Sequence, residues 1–146
     1  MKGLSRLFYN PKVQKVLRAL RTRTISAGKI RFSQTSVNGA GDIIDSMKKN
    51  GWKGDAIDVV KMPDGKLTTI DNTRLVAAQI VGIDAKVVIH NFNEKIPDKG
   101  TKDRLTTKKG RPKTWGEAVK LRIGKQSSSY RKENPNGSRT LEKVNM

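Results

Sequence analysis

The stretch from Ile57 to His90 constrains the fold more than any other, because every join in it carries residues that leave the backbone little choice. A β-branched run through Ile57, Val59 and Val60 closes at Met62. Pro63-Asp64-Gly65 then supplies a fixed φ, a side-chain acceptor and a residue free to take positive φ, which predicts a tight turn. Leu67 to Ile70 leads back as a second strand, and Asp71-Asn72-Thr73 offers short polar side chains to cap a helix. Leu75, Val76, Ala78, Gln79 and Ile80 continue at helical spacing, Gly82 is placed to stop the helix in the left-handed conformation, and Lys86 to His90 reads as another strand.

The predicted helix therefore opens from a strand end, with unpaired N–H groups, a partial positive charge and Arg74 on its first turn. That combination suits a phosphate. Ordinary caps at Asp71 and Asn72 and a solvated Arg74 would produce the same residues, and the local sequence leaves both readings open.

The order strand, helix, Gly51-Trp52, strand, hairpin, then a polar triplet with Arg at the head of an Ala-rich helix resembles the ParB/sulfiredoxin superfamily over residues 29–91. In that family the matching motif, Gly-Glu-Arg-Arg or Gly-Cys-His-Arg, holds nucleotide phosphates at this helix end. Asp71-Asn72-Thr73-Arg74 stands there, so Arg74 alone matches by identity. The resemblance implies an α+β domain with a small mixed sheet. Sulfiredoxin chemistry is excluded, since the family's thiol falls at Asn72 and the chain has no cysteine.

At 146 residues the chain suits one core with extensions. The expected division is a basic amphipathic helix in residues 1–28, the core in 29–91, and a basic loop and helix in 92–146 that complete the domain. Zero cysteines remove disulfides, thiolate metal sites and thiol nucleophiles. No apolar run approaches membrane-spanning length and no signal-peptide pattern follows Met1, so no stable membrane association is expected.

The net charge of +18 is placed unevenly. Residues 1–31 hold nine Lys/Arg and no acid, residues 32–100 nine of each, and residues 101–146 thirteen basic against four acidic. A neutral middle between basic flanks is what a nucleic-acid partner calls for.

Asn10-Pro11 predicts a helix start, with Val13, Val16, Leu17 and Leu20 as a stripe that docks on the domain and Lys12, Lys15, Arg18, Arg21 and Arg23 largely off it. Ser26-Ala27-Gly28 is expected as a hinge. Ile30 to Gln34 reads as a first strand, Ile43, Ile44 and Met47 as the inner face of a helix ended by Asn50-Gly51, and Trp52 as its anchor. The Val- and Ile-rich strands at 57–62 and 86–90 are expected at the centre of the sheet. His90, the sole histidine, ends a central strand where a loop-built pocket would lie. Residues 91–113 lack periodicity and read as a long basic loop.

Thr114-Trp115-Gly116-Glu117 has the spacing of a capping box. Beyond it, Arg122, Gln126, Tyr130 and Arg131 recur at about one helical turn, either as a solvated face or as groups converging on a phosphate or base.

Such a core, with a Trp-Gly-Glu-Ala helix and the Asn134-Pro135-Asn136-Gly137-Ser138 tail, resembles the carboxy-terminal toxin domains of bacterial contact-dependent or Rhs-type systems. That resemblance implies an antibacterial nuclease, secreted or surface-delivered into a target bacterium's cytoplasm and neutralised by a cognate immunity protein. The charge imbalance adds that this partner is acidic. The candidate catalytic residues are Asp71, Thr73, Arg74 and His90, with Asn72, Arg122, Gln126, Tyr130 and Arg131 as substrate contacts. Asp58 and Asp71 are the carboxylates a divalent metal would use, but they lack the spacing of a ligand cluster, so a metal-free route with His90 or Asp71 as base stands beside it. A nucleotide-binding or hydrolysing enzyme and a non-catalytic DNA-binding module would use the same groups.

Overall fold

The computed structural model describes residues 10–146, an α+β fold built on a five-stranded mixed sheet. The elements run α1 (Pro11–Arg21), β1 (Thr22–Ser26), a 3-10 turn (Ala27–Lys29), β2 (Ile30–Arg31), β3 (Ser36–Val37), α2 (Ala40–Asn50), β4 (Ile57–Lys61) and β5 (Leu67–Thr69). They continue with α3 (Asn72–Val81), β6 (Asp84–Asn91), α4 (Lys99–Leu105), α5 (Trp115–Gly124), α6 (Ser128–Glu133) and β7 (Lys143–Val144). The sheet order is β1-β6-β4-β5-β2, with β4 and β6 parallel at its centre, and β3 pairs separately with β7.

The core stretch forms as its punctuation dictates. Asp71 caps α3, its Oδ1 accepting the Arg74 N–H at 3.1 Å, a contact worth about 0.5–2 kcal/mol. Gly82 takes φ 81° and ψ 30°, and its N–H returns to the Ala78 carbonyl. Period-two alternation divides the strands between two cores: Ile57, Val59, Ala85 and Val87 face α2 and α3, while Val60, Met62 and Ile70 face α5.

Three expectations change at the flanks. The first helix ends at Arg21, and Thr22–Ser26 is a sheet strand paired antiparallel with β6, so the chain from Thr22 onward is part of the sheet. The Val16 and Leu20 side chains of α1 are exposed, 59% and 78%, because the face turned to the domain is the one bearing Arg18 and Arg21. The 91–113 stretch contains α4, capped by Asp98 accepting from the Thr101 N–H at 2.8 Å and anchored by buried Ile96 and Leu105.

The carboxy-terminal segment closes the β2 edge. Phe32 and Ser138 exchange both backbone hydrogen bonds, at 2.7 and 2.9 Å. Gly137, at φ 115°, is required there: a Cβ would stand 2.7 Å from the Thr68 Cγ2 and 2.8 Å from the Phe32 carbonyl. The Asn-Pro-Asn-Gly-Ser tail is thus built into the domain.

Candidate functional site

The nine residues singled out from sequence fall into three different environments. His90 is the most constrained. It is 3% exposed, its ring stacked on Trp115 at 3.8 Å between centroids and 15° between planes. Nε2 lies 2.8 Å from the Asp58 Oδ1 and Nδ1 2.5 Å from the Glu94 Oε2. Both ring nitrogens are thus engaged by carboxylates inside the fold, and neither is presented to a substrate.

Both carboxylates are held from the other side by α1. Arg18 donates to the Asp58 Oδ1 and to the Ala56 carbonyl, each at 2.7 Å. Arg21 donates to the Glu94 Oε1 at 2.9 Å and to the Ile89 carbonyl at 2.8 Å. Spaced i,i+3, the two guanidiniums share one helix face and clamp α1 to β4 and β6. Burial pushes the Asp58 carboxyl up, but hydrogen bonds from His90 and Arg18 outweigh it and hold it below the usual range. Glu94 is likewise raised by burial and brought below its usual value by Arg21 and His90. The members of this network come from positions 18, 21, 58, 90, 94 and 115, so the i,i+3 arginines and the i,i+4 pair His90 and Glu94 are its local signals in the sequence.

Arg74 is a staple rather than a free first-turn cation. Its Nη2 donates to the carbonyls of Lys53 and Asp55, at 3.1 and 2.6 Å, and its guanidinium lies 4.6 Å from the Trp52 ring centroid. Asn72 is 2% exposed and faces inward: its Oδ1 accepts the Ser33 N–H at 2.7 Å, and its Nδ2 donates to the Ser33 Oγ at 3.0 Å. It joins the start of α3 to the residue after Phe32 and does not meet solvent.

Nor do the four carboxy-terminal residues converge. The Gln126 Oε1 accepts from the Thr35 N–H and hydroxyl, at 3.2 and 3.0 Å. The buried Tyr130 hydroxyl bonds the Ser138 Oγ at 2.7 Å, and burial raises its pKa. Arg131 is exposed and points back to the Gly124 carbonyl at 3.4 Å. The spacing of Gln126 and Tyr130 serves the fold, since inward positions recur at the same interval as a ligand-facing stripe.

Arg122 differs. Among the described residues its half-buried guanidinium makes no hydrogen bond or ion pair. Burial lowers its pKa, the Asp71 carboxylate raises it, and the Arg104 guanidinium lowers it. The end of α5 is thereby brought to the start of α3, where Asp71 keeps its Oδ2 3.9 Å from the Arg74 Nη1 and its side chain is 38% exposed. The amides of Asn72 and Thr73 precede the first intrahelical bond of α3. Asp71, Thr73 and Arg122, with Arg104 nearby, therefore combine an open carboxylate, a hydroxyl, the Thr73 amide and a cation with no hydrogen bond or ion pair among the described residues. Burial of a guanidinium costs free energy unless an anion offsets it, and here the Asp71 carboxylate offsets part of that cost without a direct bond.

No group of three or more His, Asp or Glu side chains able to hold a metal ion occurs among the described residues. No helix among them is long and apolar enough to cross a membrane. No protein-family model matches the chain, and no curated protein matches it in sequence.

Proposed function

We propose that this is the nuclease domain of an antibacterial toxin, of ParB/sulfiredoxin type, cleaving phosphodiester bonds at the amino end of α3. The observation that carries the reading is the half-buried Arg122, which makes no hydrogen bond or ion pair among the described residues, beside the open Asp71 carboxylate. In the proposed reaction the Asp71 Oδ2 accepts the proton of the attacking hydroxyl, the 2′-OH of RNA or a water on DNA, and a new P–O bond forms as the 5′-oxygen departs with a proton from solvent. Arg122 and the Thr73 amide stabilise the charge developing on the non-bridging oxygens, and the Thr73 hydroxyl orients the phosphate. Arg74 positions the corner through the 53–55 backbone.

The net charge of +18 supports a polyanionic substrate and an acidic immunity protein that covers the basic surface in the producing cell. Delivery into a neighbouring bacterium belongs to the same proposal. One observation favours a second reading, a non-catalytic nucleic-acid-binding module: both nitrogens of the only histidine are occupied. Incubation with total RNA and with plasmid DNA, with and without EDTA, separates them. Cleavage of either substrate supports the nuclease, and salt-sensitive binding with both left intact supports the module.

A further inference from the structure

The geometry points to a second site at the other end of the sheet, a cleft at the carboxyl ends of parallel β4 and β6 that takes an unpaired stretch of nucleic acid. β5 runs antiparallel to β4, so Thr69, which leads into α3, pairs with Val59, whereas Leu67 pairs with Lys61. The α3 corner thus belongs to the amino end of β4 and the cleft to its carboxyl end, where Lys61 also pairs with Asn91 of β6. In open sheets this is the end at which ligands are received.

The cleft is an open groove offering about 540 Å³. Its charged lining is Arg21, Arg23 and Lys61, with no acid. The nearest carboxylates are spoken for: Glu94 by Arg21 and His90, and Asp64 by Arg31 at 2.6 and 2.9 Å. Arg23 and Lys61 are exposed and make no ion pair among the described residues. Beside these cations lie three apolar side chains, Leu20, Leu67 and Ile89, with the Asn91 amide.

That mixture selects among polyanions. A duplex presents phosphates to such a surface and keeps its bases stacked, leaving Leu67 and Ile89 uncovered. An unpaired nucleotide offers both halves, a phosphate for Arg23 and Lys61 and an apolar base face for the floor. The α1 face that looks mismatched at exposed Leu20 then has a use, as the cleft's rim.

The inference rests on the reading that the partner is a nucleic acid, but not on where cleavage occurs. The test is fluorescence anisotropy with a labelled 2′-O-methyl RNA oligonucleotide, single-stranded and as its duplex. The blocked 2′-oxygen keeps binding apart from turnover. Arg23→Ala/Lys61→Ala is expected to bind the single strand several-fold more weakly and to flatten the log–log salt slope by about 1.4, at about 0.7 for each phosphate no longer neutralised. Leu20→Ser should weaken the single strand and leave the duplex unchanged. Lys48→Ala/Lys49→Ala, at the end of α2, is the charge-matched control and should keep most of the affinity. The cleft is overturned if this control loses as much as the cleft variant, if the salt slope does not move, or if Leu20→Ser weakens the duplex as much as the single strand. Should the parent protein bind neither probe, the nucleic-acid reading itself fails; should it bind while all cleft variants match it, only the cleft assignment fails.

Discussion

Replacing His90 by Ala tests whether the histidine is the keystone of the fold. The side chain makes two short hydrogen bonds to carboxylates, at 2.8 and 2.5 Å, and stacks on Trp115. Each charge-assisted bond is worth about 1.5–3 kcal/mol and the stack about 0.5–1.5 kcal/mol. Arg18 and Arg21 stay to satisfy Asp58 and Glu94, which places the net loss toward the lower part of the sum, about 3.5–5 kcal/mol. Against a typical stability of about 5–15 kcal/mol, that leaves a marginal protein. Urea unfolding followed by tryptophan fluorescence reads it, and His90→Phe, which keeps the stack and drops both bonds, should recover only the smaller part. Any activity lost by the variants should return to near the parent rate once corrected for the fraction folded. A loss of stability under about 1 kcal/mol, with cleavage abolished, would refute the structural role and restore His90 as the base.

Two further outcomes follow from the same geometry. Arg74→Ala should lower stability by about 2–3 kcal/mol, since it removes two hydrogen bonds to backbone carbonyls and a cation–π contact with Trp52, and Arg74→Lys should recover less than half of that in thermal unfolding. Asp58 and Glu94 are held below their usual pKa values in the folded state, so in acid the unfolded chain binds more protons than the folded one; their contribution is complete above about pH 5 and is lost as pH falls through and below about 4. Unfolding midpoints measured from pH 7 to pH 3 should therefore drop steeply in acid, and Asp58→Asn should start lower and fall less.

Residues 57–90 were legible because each boundary has a cause within two or three residues: the turn at Pro63-Asp64-Gly65, the Asp71 cap, the Gly82 stop. The central place of β4 and β6 followed from their Val and Ile content. What escaped depends on contacts between distant positions. Nothing near His90 in the chain announces that Asp58 and Arg18 face it, and a lone histidine at a strand end reads the same whether its nitrogens are free or taken. The stripe on α1 misled because two arginines, by reaching backbone carbonyls and carboxylates, decided which face turns inward. Helix α4 spans seven residues, Lys99–Leu105, too few for periodicity to rise above composition, although Asp98 with Thr101 three residues on was a usable cap signal. At the candidate site, Asp71 was readable as a cap, but that Arg122 makes no hydrogen bond or ion pair among the described residues is a property of the packed molecule alone.

The most direct test of the proposed chemistry is the rate at which Arg122→Ala cleaves total RNA and plasmid DNA beside the parent protein. Arg122 makes no hydrogen bond or ion pair among the described residues, so the variant should lose mainly the packing of the side-chain stem and unfold within about 1 kcal/mol of the parent. Its cleavage should fall by about 10²–10³, the usual cost of removing one group that stabilises developing charge. An Arg122→Ala protein that folds and still cuts at the parent rate would contradict the account and move the active site away from the start of α3.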